Sequence, residues 1–447
     1  MASAAIPESG AITAHNRGPV VAGLISMILQ TYDISLPAFV LPAAIAYFIP
    51  TTLSPVIQAT IISLTGVVGV LANPVGGVVV APLADRLGRR MLMILTNVGY
   101  TVIAAAVALL PGYAAWGYWA IGLLLFLRFL NGVCAASSPA GAIPMALERT
   151  GKTARGIIGA LMGIGPTLGV ILLTVVQQGS LGIAHTPAAF VQWGWRLPFW
   201  FGAGLGILET LITLTTSELE YFVAERQHRT HRRSSVAQVF SRRHIGIFIQ
   251  AMVMYLGFLF LAANVPLFIP TLFITVLHMP PAGVNIIELW GNIGIVVGAL
   301  ILGAVGQRIG RRRGLLIAGI WITIVATPLF FGMIHLATHH GNFGLITLLG
   351  AAVLTLTIAP YSGMGLTYLI ERYPLDIRAA GFGAVYSLST VIPGFSSFYL
   401  LALRAFMPYQ YTVLVLVAIA GILIVWGALT GPETNDVDLL AATAEHA

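Results

Sequence analysis

The stretch "ADRLGRRMLMIL", residues 84–95, recurs as "GQRIGRRRGLLI", residues 306–317. In this register Asp85 corresponds to Gln307, and their separation, 307 − 85 = 222, is half of the 447-residue chain. Each copy joins two long apolar runs through a Gly-Arg-Arg turn. The chain therefore reads as two related halves, the plan on which many secondary transporters are built, with the substrate site where the halves meet.

Composition sets the environment of those runs. Hydrophobic residues make up 58% of the chain and charged residues 8%, with a mean hydropathy of +0.92. A soluble protein carries roughly 25% charged residues, so this chain cannot cover a water-facing surface, and a polytopic all-α membrane protein is expected. The opening residues, "MASAAIPESGAITAHNRGP", lack the charged-then-apolar layout of a cleavable signal, so the first helix is expected to be retained. Cys134 is the only cysteine, which excludes an internal disulfide and a cysteine-based metal cluster.

A membrane span needs about 20 apolar residues. Twelve runs qualify: 19–47, 56–84, 91–110, 115–146, 155–177, 195–215, 246–275, 283–306, 313–335, 342–371, 378–402 and 408–430. The expected organisation is a tail at 1–18, a six-helix half at 19–216, a basic linker at 217–245, a second six-helix half at 246–430 and a tail at 431–447. The arginines of alternate connections (Arg86 to Arg90, Arg149 to Arg155, Arg226 to Arg243, Arg308 to Arg313, Arg372 to Arg378) all fall on one side. The other side holds Arg404, with Arg196 at the mouth of span six. Positive charge marks the cytoplasmic side, so both termini are expected there. The net charge of +7 lies in these loops and is read as membrane topology, not nucleic-acid binding.

Four ionisable residues fall well inside the spans: Asp33, Arg128, Glu209 and Glu288. A charge at the bilayer centre costs about 2.5–3.5 kcal/mol on insertion scales, and such residues commonly mark a transport pathway. Asp33 lies roughly 21 Å into span one at about 1.5 Å per residue, and Arg128 sits at similar depth in span four. Gln30 shares a face with Asp33 at i, i+3, while Asn131, Ala135 and Ser138 continue a polar stripe from Arg128. An Asp33–Arg128 couple lining a water-filled cavity is expected, with a static ion pair as the alternative. Glu209 and Glu288 are open between proton handling and a bland role, the first as a neutral helix residue, the second reaching water. In the second half Asn264, Asn292 and Tyr361 are the favoured cavity residues over Tyr255, Tyr368 and Tyr386. His335 and His339 have a metal-compatible spacing without an evident third ligand, so no metal is expected.

The stretch "GGVVVAPLADRLGRR", residues 76–90, resembles the signature of the major facilitator superfamily in the loop between helices two and three. The resemblance implies a gating latch from Asp85, Arg86, Gly88, Arg89 and Arg90, with Arg308 and Arg312 in the second copy. With Gln307 replacing the second aspartate, that copy should be weaker. Within the superfamily the chain is most similar to metabolite:proton symporters of small organic acids and zwitterions. "RFLNGVCAASSPAGA" (128–142), "TARGIIGALMGIGPTLG" (153–169), "WGWRLPFW" (193–200), "SELEYF" (217–222) and "ERYPLDIRAAGFG" (371–383) carry that similarity. Three departures stand out. Gln30 replaces a glutamate common in their first helix, Ser138 one in their fourth, and Asn73 an arginine in their second.

The expected function is proton-coupled uptake of a small, carboxylate-bearing metabolite by alternating access. Asp33 takes the proton, and Arg128, freed from it, holds the substrate carboxylate. Pro37, Gly165, Pro166 and Gly169 are the expected flexing points. The proton gradient is the energy source and no cofactor is expected. The partners are substrate, protons and the lipid bilayer of a cell (inner or plasma) membrane, with a monomer expected. The alternatives are drug:proton or metabolite:proton export, suggested by "GIGPTLG", and aromatic-acid:proton symport, suggested by "YDISLPAFVLP". A transporter-like sensor is a further alternative. A membrane-embedded enzyme is disfavoured, because the acidic residues are isolated and form no metal-binding cluster.

Overall fold

The computed structural model of the protein describes residues 17–50, 61, 65, 68–69, 71–148, 150–215, 235–273, 281–339, 341–437 and 439. The tails 1–16 and 440–447, the start of the second apolar run at 51–60, and the linker from 216 to 234 with its "SELEYF" stretch lie outside the described residues.

The apolar runs fold as helices close to their expected limits. They are α1 (Arg17–Phe48), α2 (Leu83–Leu87, the end of the second run), α3 (Arg89–Ala108), α4 (Tyr118–Leu147), α5 (Arg155–Ala184) and α6 (Arg196–Thr215). The second half repeats the series with α7 (Ile245–Thr271), α8 (Pro281–Ile309), α9 (Arg311–Thr338), α10 (Phe343–Glu371), α11 (Arg378–Leu403) and α12 (Thr412–Thr430). Among the described residues, eleven helices are long and apolar enough to cross a membrane. Helices are the necessary solution, because lipid offers no partner for backbone N–H and C=O groups. Helix α5 outruns its expected end at 177. Gln177 lies there, and its side-chain amide donates to the Phe39 carbonyl of α1 at 2.6 Å, so the polar residue is satisfied inside the bundle and the helix continues.

Two glycines set the matching turns of the repeat. Gly88 and Gly310 adopt φ of +106° and +95°, which only glycine takes without strain. The turns place Arg90 and Arg312 alike. Arg90 donates to the carbonyls of Thr213 and Leu214 at the end of α6, and Arg312 to those of Ala428 and Leu429 at the end of α12.

The halves touch where small residues let backbones meet. A Cβ on Gly156 of α5 would stand 2.1 Å from the Gly303 carbonyl of α8, and one on Gly77 would stand 2.2 Å from the Gly383 carbonyl of α11. Gly165 and Gly169, expected as flexing points, instead seat α5 against Met27 and Ile28 of α1. Pro166 lies inside α5.

The "WGWRLPFW" stretch is a structural clamp at the face opposite the arginine-rich loops. Trp195 is fully buried and packs edge-on against Phe48 and Phe199. Arg196 donates to the Ala108 carbonyl at 2.9 Å, to the Leu110 and Gln192 carbonyls and to the Tyr47 hydroxyl. It also stacks on the Tyr47 and Trp195 rings, 4.8 and 4.7 Å away. The clamp thus ties the ends of α1 and α3 to the start of α6. Trp195→Ala should lower stability by about 3–5 kcal/mol, seen as a clear drop in the thermal-unfolding midpoint in detergent. An unchanged midpoint would contradict the clamp.

Candidate functional site

Two groups of charges have different fates. The first lies at the arginine-rich face and is tied together by ion pairs. Asp85 accepts from Arg89 at 2.8 Å and also reaches across to the other half. Its Oδ1 accepts from the Ala379 amide at 3.1 Å and its Oδ2 from the Ala380 amide at 2.8 Å. These are the first orphan amides of α11, where a helix favours a negative charge. Burial pushes the Asp85 carboxyl up from its ordinary value, while Arg89 and the two amides pull it down. Glu148 at the end of α4 then receives Arg378 at 2.8 Å and Arg89 at 3.4 Å. Arg89 also donates to the Leu375 carbonyl at 3.2 Å.

The second half copies this cluster. Gln307 accepts from the Gly156 amide of α5 at 3.1 Å and from Arg311 at 2.7 Å, and Arg311 approaches Glu371 at 3.4 Å. The expected weakness of the second copy is visible in kind: a neutral amide oxygen takes one helix amide where the carboxylate takes two. Glu148, Glu371, Arg155 and Arg378 were not among the expected gate residues. Their signal was present as Glu-Arg, five intervening residues, then Arg, at 148–155 and again at 371–378, a separation of 371 − 148 = 223. Arg86 and Arg308, expected in the latch, are exposed and bond to nothing among the described residues.

The second group lies at mid-depth and is unpaired. Asp33 is 2% exposed, yet neither carboxyl oxygen has a hydrogen-bond partner. Oδ1 lies against α6, where a Cβ on Gly202 would stand 2.9 Å away. Arg128 and Glu209 are within electrostatic reach of Asp33. The static Asp33–Arg128 ion pair, the alternative to a working couple, is not formed. Arg128 donates instead to the Asn131 side chain at 2.9 Å and the Ile34 carbonyl at 3.1 Å, its fork turned along α4 and onto the α1 backbone. Glu209 is fully buried, its carboxyl beside the Ser26 and Asn97 side chains, two turns along α6 from the Gly202 that faces Asp33. Ser138 meets Ser26 across 3.0 Å, and Gln30 donates to the Ala135 carbonyl at 3.0 Å.

The second half contributes rings. Tyr255 lies 5.6 Å from Tyr361 and 6.2 Å from Tyr386, ring centre to ring centre, and Tyr386 sits beside Gln30 of the first half. Asn73 bonds Thr390 across the halves at 2.9 Å. Asn264 is buried, its amide donating to the Phe260 carbonyl and Ser396, so it joins α7 to α11 and is not a free ligand group. Asn292 and Glu288 are half-buried on α8. Asn292 lies three turns from Gly303 and so shares the α8 face that meets α5. His335 and His339 have ring centres 4.2 Å apart. Among the described residues, every hydrogen bond joining the halves lies between mid-depth and the arginine face, so the structure is closed on that face.

A family model, Major Facilitator Superfamily, matches residues 23–287. The chain belongs to this superfamily. It is a membrane transporter of two helical halves. The alpha-ketoglutarate permease of Escherichia coli (strain K12) is 26% identical over 344 residues, 74% of this chain and 74% of that protein. The citrate-proton symporter of Klebsiella pneumoniae is 25% identical over 336 residues, 73% of this chain and 71% of the other. The proton:xylose symporter XylE of E. coli bound to 6-bromo-6-deoxy-D-glucose shares the fold, with a TM-score of 0.78 at 13% identity over 94% of this chain and 97% of that one.

In such a transporter the gate charges set how firmly the arginine face stays shut. A charge-assisted hydrogen bond contributes about 1.5–3 kcal/mol and a neutral one about 0.5–1.5. Asp85→Ala should therefore shift the closed-to-open ratio about 10- to 100-fold, and Gln307→Ala no more than about tenfold. Spin labels at positions 86 and 308, one in each half, would report this as growth of a longer-distance population. Equal shifts for the two variants would contradict the asymmetry.

Proposed function

We propose that the chain is a proton-coupled symporter of a small organic acid, with Asp33 as the coupling carboxyl and Arg128 as the fixed cation. The observation that carries this reading is the buried Asp33 carboxyl, which has no hydrogen-bond donor and lies within electrostatic reach of an arginine that bonds elsewhere. An ionised carboxylate without a donor is costly to bury, whereas a neutral acid is far less so. The conformer closed on the arginine face therefore suits a proton-loaded Asp33, with the Arg128 fork held by Asn131 and Ile34 and open to a substrate carboxylate. Loss of the proton would leave Asp33 charged, and the nearest cation able to meet it is Arg128. Pairing would then displace the substrate carboxylate, so proton and substrate leave together. Glu209 is within electrostatic reach of Asp33, so two ionised carboxylates there would repel and one is favoured neutral.

The positive-inside bias supports placing the arginine face in the cytoplasm, with both termini there. The closed arginine face then belongs to the state that receives substrate from outside. Gln30 and the Tyr255, Tyr361 and Tyr386 rings would surround the body of the substrate. The relatives that carry alpha-ketoglutarate and citrate support a carboxylate as cargo. Inward flow of protons would load Asp33 on the outer side and drive uptake.

Uptake into proteoliposomes under an imposed inward proton gradient tests this, with labelled oxoglutarate, citrate, shikimate, benzoate and proline as trial substrates. Wild type should accumulate one of the acids. Asp33→Asn, locked in the neutral form, should exchange that acid across the membrane without accumulating it. Accumulation by Asp33→Asn equal to wild type would overturn the assignment, and efflux driven by the same gradient would point to an exporter.

A further inference from the structure

Past the end of α12 the chain stays on the arginine face and crosses it. The Tyr368 hydroxyl donates to the Pro432 carbonyl at 3.3 Å. Glu433 caps α9, with Oε1 accepting from the Arg311 amide at 2.7 Å and Oε2 from the Arg312 amide at 3.2 Å. Gly310 makes room for this cap, because a Cβ there would stand 2.3 Å from Glu433 Oε2. The Thr434 hydroxyl donates to Glu371 at 2.7 Å, and the Asn435 side chain to the Gln307 carbonyl at 2.9 Å. Thr434 is 1% exposed and Leu439 fully buried.

Those contacts anchor the segment to the second half. The next ones reach the first. Arg155, at the start of α5, donates to the Val437 carbonyl. Arg378, itself held by Glu148 of the first half, donates to the Leu439 carbonyl at 2.9 Å. The segment therefore takes hydrogen bonds from the arginines of both gate clusters at once. The halves cannot part on this face while Val437 keeps Arg155 and Glu433 keeps α9.

We propose that residues 432–437 with Leu439 are a strap that holds the transporter closed on its arginine face, so that weakening it favours the form open there. The strap acts on the gate and not on the transport chamber: its partners are gate residues and helix ends, and none of Asp33, Arg128 or Glu209 touches it. The inference rests on the two-half transporter fold and not on which substrate or ion is carried.

The test uses spin labels at positions 86 and 308 in full-length protein carrying Cys134→Ala, reconstituted in lipid without substrate. Glu433→Ala combined with Thr434→Val removes the anchor, and a chain ending at Gly431 removes the strap. Each should raise the ratio of long to short label distances about tenfold, the equilibrium weight of one charge-assisted hydrogen bond. Leu429→Ala, an exposed change beside the strap, should leave the ratio alone. If the shortened chain fails to fold, the double substitution keeps the whole backbone and decides alone. An unchanged ratio in a monodisperse double variant would overturn the strap, whether or not any acid is transported.

Discussion

A carboxylate in one half accepting the first amides of a helix in the other is the contact on which the observed state depends. Asp85 can do this because Gly77 and Gly383 let α11 come close, and because Arg89 shares its charge at 2.8 Å. The bond is buried, so water competes little with it, and both partners lie at a membrane surface where water is available when they part. A deeper pair would be costly to open and a fully exposed one would hold little. The depth of Asp85 suits a contact that must both hold and release.

The copy in the second half shows what duplication kept and what it altered. Gly310, Arg311, Arg312 and Glu371 repeat Gly88, Arg89, Arg90 and Glu148 in position and partner. Gln307 keeps the acceptor and drops the charge. The structure is thus symmetric in its helix ends and asymmetric in the strength of its gate. The mid-depth polar residues are asymmetric in a different sense: Asp33, Arg128 and Glu209 all belong to the first half, while the second supplies tyrosines. A buried carboxyl with neither oxygen partnered is rare in folded proteins, and Asp33 is one, at the depth where a transporter needs a group that changes its partner.

Much of this was legible beforehand. Twelve apolar runs, the repeat of Asp85 at Gln307 and the one-sided arginines follow from hydropathy and spacing alone, because lipid leaves the backbone so few options. The depth of Asp33 and Arg128 was legible for the same reason. Their contact was not, since spacing along a helix sets which face a side chain occupies but not where a long guanidinium turns. Asn264 misled because an amide on a helix face looks the same whether it meets a ligand or a neighbouring helix. Glu209 was undecided from sequence because its importance comes from α6 packing beside α1, a long-range contact. Glu148 and Glu371 were overlooked among positive loops, although the doubled Glu-Arg-x5-Arg pattern pointed to them. The strap had no sequence signal, as its bonds to the gate arginines come from backbone carbonyls.

The proton itself gives the most direct test. Purified protein in weakly buffered, increasingly alkaline solution is mixed with a transported acid while a pH-sensitive dye records proton uptake. Wild type should take up a proton as the acid binds, and Asp33→Asn should bind the acid and take up none. Equal proton uptake by the variant would contradict the central role given to Asp33.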